Sequence, residues 1–162
     1  MNDTLDFETN SNKSFQTKNE VKSVDIYSKS VDNLCDAIKA NDTNAMCNIL
    51  REKISPNFYS SDGLYPLYFC AKYNRCYAFR IIMLYGGSLS LCDAYGNTAL
   101  HVAVKFNNHE IIKYLMANSA DPYAKNKMGH DCFQMTNIFS ETWFLLKRII
   151  SGAIALDDAM IC

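Results

Sequence analysis

His101 stands three residues after Thr98, in a chain of 162 residues that also carries Cys35, Cys47, Cys70, Cys76, Cys92, Cys132 and Cys162. An imidazole beside a hydroxyl or a thiol is the pairing used in nucleophilic catalysis, where the ring takes the proton and the oxygen or sulfur attacks. That chemistry needs a third group to orient the base. The stretch "GNTALHVAV" offers none, and the Thr98 hydroxyl is better placed to cap the helix that follows it. A cysteine-dependent enzyme with His101 as base therefore stands as the weak alternative. His109 and His130 are expected at exposed positions and belong to no HExxH pattern, and no two cysteines form CxxC, so no metal or other cofactor is expected. "YGGS" at 85–88 has the glycines of a phosphate loop but not the rest of a GxxxxGK[ST] motif. Gly86 and Gly87 read instead as the left-handed stop of a helix.

Composition narrows the classes further. The net charge of -1 gives no pull toward nucleic acid or an anionic membrane. No run approaches the ~18 consecutive apolar residues that read as a membrane span. The opening "MNDTLDFETN" lacks the basic and apolar regions of a secretory signal. A cytoplasmic or nuclear protein is expected, with the odd number of cysteines reduced and several of them serving as small apolar core residues.

The elements that position these residues come from a repeat. Glycine recurs at Gly63, Gly96 and Gly129, each 33 residues from the last, and Leu34, Leu67, Leu100 and Phe133 keep the same step. Small residues follow at Ala37, Cys70, Ala103 and Thr136. Within one period, "DAYGN" is a turn in which Gly96 is free to take positive φ. Cap positions fall at Asp32, Tyr65, Thr98 and Asp131; Pro66 suits the first helical position after Tyr65, where a missing N–H costs nothing. Leu100, Ala103 and Val104 form the stripe of a short first helix. Ile111, Ile112, Leu115 and Met116 have the spacing of a second helix with one buried face. The equivalent sets are Ala45, Met46, Ile49 and Leu50; Ala78, Phe79, Ile82 and Met83; and Phe144, Leu145, Arg148 and Ile149. One such unit cannot bury its apolar face alone, whereas a stack shares one core. Arg148 at one end, and Asp36, Lys39 and Asp42 at the other, read as the polar faces of terminal caps.

The fold expected is an all-α solenoid of about four helix-turn-helix repeats, over about 30–60, 61–93, 94–126 and 127–150, within a domain spanning 31–150. Residues 1–30 read as a polar disordered arm. Residues 151–162 read as a closing segment over the last unit.

In its period and in "GNTALHVAV" the chain resembles the ankyrin-repeat family, whose signature is T-P-L-H-x-A. Ala99 replaces the signature proline. "GLYPLYFCA" keeps Pro66 and Leu67 but has Tyr65 and Tyr68 for the threonine and histidine, and "GHDCFQMT" is degenerate. The resemblance implies antiparallel helix pairs joined by β-hairpin fingers. It gives His101 a structural role, hydrogen-bonded to Thr98 and to the neighbouring finger, and Gly63, Pro66, Gly96, Thr98 and Gly129 belong to that scaffold. It also implies a concave face, made by fingers and first helices, that binds a partner protein. The groove candidates are Lys72, Tyr73, Lys105 and Phe106, members of a lysine ladder (Lys39, Lys72, Lys105) and an aromatic ladder (Tyr73, Phe106, Phe139). The finger candidates are Ser61, Asp62 and Leu64; Ala94, Tyr95 and Asn97; Lys127, Met128 and His130. The aromatic ladder could serve binding or packing between units. The function implied is non-catalytic: an adaptor or inhibitor of a partner protein, as in regulation of kinases or of NF-κB-type transcription factors. The alternative is a regulatory subunit of a cell-cycle or developmental kinase. Neither nucleic acid, membrane nor small-molecule substrate is expected as a partner, and the free protein is expected to be a monomer.

Overall fold

The computed structural model describes residues 28–153. It contains α1 over 28–40, α2 (Thr43–Arg51), α3 (Pro66–Lys72), α4 (Cys76–Leu84), α5 (Ala99–Lys105), α6 (His109–Ala117) and α7 (Glu141–Ile150). Short connections at 73–75 and 106–108 fold each second helix back beside its first. First helix then packs on first helix, α3 on α5, while α2, α4, α6 and α7 stack in a second layer. The expected arm over 1–30 lies outside the described residues except for 28–30, which are helical. The expected closing segment lies outside them beyond 153.

The shared core follows the period. Leu34, Leu67 and Leu100 are buried with Ala37, Cys70 and Ala103, and in the second layer so are Met46, Leu50, Phe79, Ile82, Ile111, Ile112 and Leu115. Burial of a large aliphatic side chain contributes roughly 1.5–3 kcal/mol, so this column is the main stabilising term.

Three left-handed backbone positions punctuate the units. Gly63, Gly96 and Gly129 turn the fingers; Asn41, Asn74 and Asn107 end the first helices; Lys53, Gly86, Ser119 and Gly152 end the second. Gly86 is thus a helix stop. Asparagine tolerates this conformation because its short amide can bond locally.

The β-hairpin fingers expected from the resemblance take the form of tight turns. Ser60 N–H donates to Leu64 O, Asp93 N–H to Asn97 O and Asn126 N–H to His130 O. Only one isolated antiparallel bridge, Cys92 to Thr98, accompanies them among the described residues. Tyr65 and Thr98 are already helix N-caps, which leaves no length for strands.

The fourth unit departs from its expected form. Its first helix is replaced by successive turns over 132–140. Asp131 accepts the N–H groups of Phe133 and Gln134, and Gln134 returns a bond to Asp131 N–H, a reciprocal helix cap with almost no helix behind it. Phe139 then turns left-handed, with φ of 68°. Ser140 caps α7 one residue ahead of the 33-residue register. The buried face of α7 rotates as a result: Thr142, Leu146 and Ile149 are buried, while Phe144, expected in the core, is exposed.

Candidate functional site

The first three units each reach into the next finger from the first helix or its cap, and each uses a different side chain. Asp32 lies inside α1 rather than capping it, and its Oδ1 accepts Ser61 N–H at 2.7 Å. Tyr65 has no capping bond; its ring is buried and its hydroxyl donates to Asn97 O at 3.3 Å. In the third unit the work passes to His101. Its Nδ1 accepts the Thr98 N–H at 3.2 Å and meets the Thr98 hydroxyl at 2.9 Å. Its Nε2 lies 3.1 Å from His130 O, one finger on. A carbonyl can only accept, so Nε2 is the donor there, while Nδ1 is the acceptor of the Thr98 N–H. Both lone-pair and proton positions are occupied, and the ring is fully buried. His101 is therefore a structural histidine.

Three of the described thiols are sealed in the core. Cys35, Cys70 and Cys132 are buried. Burial pushes the Cys35 and Cys132 thiols up to about 12 and raises Cys70 as well, which suppresses the reactive thiolate. His109 is half-buried rather than exposed: its Nε2 lies 2.8 Å from Thr142 Oγ1, which donates to Asn107 Oδ1 at 2.7 Å. His130 is also half-buried, below its finger tip.

The fingers are built around a polar residue absent from the sequence-level candidates, at positions 60, 93 and 126. Asp93 Oδ1 accepts the N–H groups of Tyr95 and Asn97, and Asn126 Oδ1 those of Met128 and His130. Ser60 Oγ accepts Leu64 N–H. The signal was available, since these positions share the 33-residue step. Neighbouring fingers join through Asn126 Nδ2 to Asn97 Oδ1 at 2.9 Å and Lys127 N–H to Tyr95 O at 2.9 Å. A Cβ on Gly96 would lie 2.9 Å from Lys127 N, so glycine there serves close approach as well as positive φ.

The finger candidates divide accordingly. Leu64 packs on the core, Asn97 is committed to Asp93 and Asn126, and the His130 carbonyl is committed to His101. Ser61, Asp62, Ala94, Tyr95, Lys127 and Met128 are exposed. The large apolar side chains among them, Tyr95 and Met128, are 68% and 64% exposed.

At the ends of the first helices, lysines and aromatic rings interleave. Lys39 Nζ sits 4.6 Å from the centre of the Phe69 ring, which stacks on Tyr73 at 6.5 Å. Lys72 Nζ lies 5.4 Å from Tyr73 and 5.9 Å from Phe106, in the next unit. Contacts of this kind contribute about 0.5–1 kcal/mol each at exposed sites. Tyr73 and Phe106 nevertheless stay 40% and 43% exposed, so each is packed on one side and faces solvent on the other. Lys105 is exposed beside them. Phe139 does not extend the ladder. It lies against Trp143 and Phe144 at 5.7 and 6.3 Å, because the helix that would have aligned it is replaced by turns.

Residues 34–126 match the family model described as ankyrin repeats (3 copies). The chain is similar to FPV024, an ankyrin repeat protein of fowlpox virus (strain NVSL), with 27% identity over 123 residues, 75% of this chain and 20% of that protein. It is also similar to an L-asparaginase of Dirofilaria immitis, with 37% identity over 54 residues, 33% of this chain and 9% of that protein. It thus spans only a minor part of the length of either relative. The period, the paired helices and the Thr98–His101 joint agree with this match: the chain belongs to the ankyrin-repeat family, whose stacks are protein–protein interaction modules.

Proposed function

We propose that this chain is a non-catalytic recognition module that captures a partner protein across its finger tips and first-helix groove, as an adaptor or inhibitor in the cytoplasm or nucleus. The observation that carries the reading is the in-register exposure of large apolar side chains on one face: Tyr73 and Phe106 in the groove, Tyr95 and Met128 on successive tips. Side chains of this type dominate binding energy when an interface buries them. The fully engaged His101 favours binding over catalysis.

The test pairs partner capture with melting. Tyr73→Ala with Phe106→Ala, and separately Tyr95→Ala with Met128→Ala, are expected to lower affinity for a captured partner at least about tenfold. Melting of the tip pair should stay near that of the unaltered chain, and the groove pair should lose only about 1–2 kcal/mol of packing. Full affinity in both pairs would remove the reading.

A further inference from the structure

We propose that the occupant of the groove is an extended acidic segment, with carboxylates spaced at the step of the stack and apolar side chains between them. The proposal rests on the recognition face argued above and names the chemistry of its partner.

Lys72 and Lys105 occupy the last turns of α3 and α5, one unit apart. A cation suits the last turn of a helix, and that alone would account for two lysines. It does not account for the rings of Tyr73 and Phe106 flanking the Lys72 ammonium. Nor do these lysines have carboxylate partners: the lysine ion pairs among the described residues join Lys39 to Asp36 and Lys113 to Glu110. Two carboxylates of the following units are engaged within their own turns. Asp93 takes two N–H groups and the Asn97 amide, and Asp131 takes two N–H groups of its own turn. An incoming carboxylate is the complement this surface lacks, and the exposed ring faces are the complement for apolar side chains.

Spacing and direction follow. Packed helices lie 8–10 Å apart, and three residues of extended polyproline II chain, at about 3.1 Å each and three to a turn, cover that step and return to the same face. Carboxylates three residues apart would therefore meet Lys72 and Lys105 in turn. At the first-unit end the balance turns acidic, where Asp32, Asp36 and Asp62 outnumber Lys39 around a cavity of about 240 Å³ lined also by Cys35 and Phe69. The segment would run with a basic residue there and its acidic residues over the second and third units.

The experiment pans a displayed random-peptide library on the full chain, on Lys72→Glu with Lys105→Glu, and on Tyr73→Ala with Phe106→Ala, each checked by its melting curve. Lys72→Gln with Lys105→Gln replaces the reversal if that variant fails to fold. The unaltered chain is expected to enrich peptides with Asp or Glu three residues apart and apolar residues between. Those peptides should lose about tenfold or more in affinity on the charge-altered variant, and the reversal should enrich Lys or Arg at the same spacing. Enrichment of neutral or basic peptides on the unaltered chain, no bias at all, or equal recovery of the acidic peptides from the charge-altered variant overturns the proposal. Loss of peptides on the aromatic variant but not on the charge-altered one leaves the groove reading standing and removes only the acidic partner. Acidic peptides retained in full on the aromatic variant remove the groove reading itself.

Discussion

At the scale of single residues, chemistry-bearing side chains have been drawn into joints. His101 has no free nitrogen, so its removal leaves the Thr98 pair and the His130 carbonyl without a partner inside the stack. His101→Ala should cost about 2–4 kcal/mol, from the cavity and the lost bonds together. His101→Gln should cost less, since a glutamine at this position can return a bond to the cap N–H. Urea unfolding of the two variants checks the order. Glycines offer a second comparison. A side chain at Gly96 meets both positive φ and the Lys127 backbone, whereas one at Gly63 meets only the φ penalty. Gly96→Ala should therefore destabilise by more than Gly63→Ala, which should lose about 1 kcal/mol. The thiols set a pH dependence. Cys35 and Cys132 titrate near 12 in the fold against 9.0 ordinarily. The folded state thus holds protons that the unfolded state releases. Stability should be level below pH 8 and fall as pH rises from 9 toward 12. A urea midpoint that climbs over this range would contradict the burial of these thiols.

At the scale of elements, periodicity was legible and its breakdown was not. The helices of the three complete units could be read from Leu34, Leu67 and Leu100 and from the second-helix sets, because burial there needs only the right residue type at the right step. The tyrosine at position 65 could be judged a poor cap, but its actual role depends on where the next finger's carbonyl lies, and no local pattern encodes that distance. The fourth unit misled for a related reason. Asp131 and Gln134 are good helix-starting chemistry, yet the turns that follow end at a left-handed Phe139. A bulky residue in this conformation is strained by about 1–2 kcal/mol, and equivalent helix ends use asparagine. Phe139→Asn should therefore raise stability by up to about 1 kcal/mol. A lowered melting temperature would mean that the cluster with Trp143 and Phe144 outweighs the strain. The groove candidates were legible as exposed register positions; the interleaving of Lys72 between two rings was not, because it depends on the rotamers of three side chains.

At the scale of the whole molecule, units are tied on the loop side as well as through the core. Asn108 Nδ2 donates to the carbonyls of Ala71 and Lys72, and Arg75 donates to Lys39 O, so the ends of α1 and α3 are each closed by the following unit. Asn108→Ala should cost about 1–3 kcal/mol. It should also broaden the unfolding transition, as weaker coupling does in a linear array; hydrogen exchange at the end of α3 would report the local opening. The finger-side joints carry a different consequence. Tyr65 and His101 both deliver their proton to a main-chain oxygen, at Asn97 and His130. Every amino acid supplies that oxygen. The receiving finger can therefore change its outermost side chains, at Tyr95 or Met128, without disturbing the bond that anchors it. Such a tip can be rewritten for a new target while the frame beneath keeps its shape.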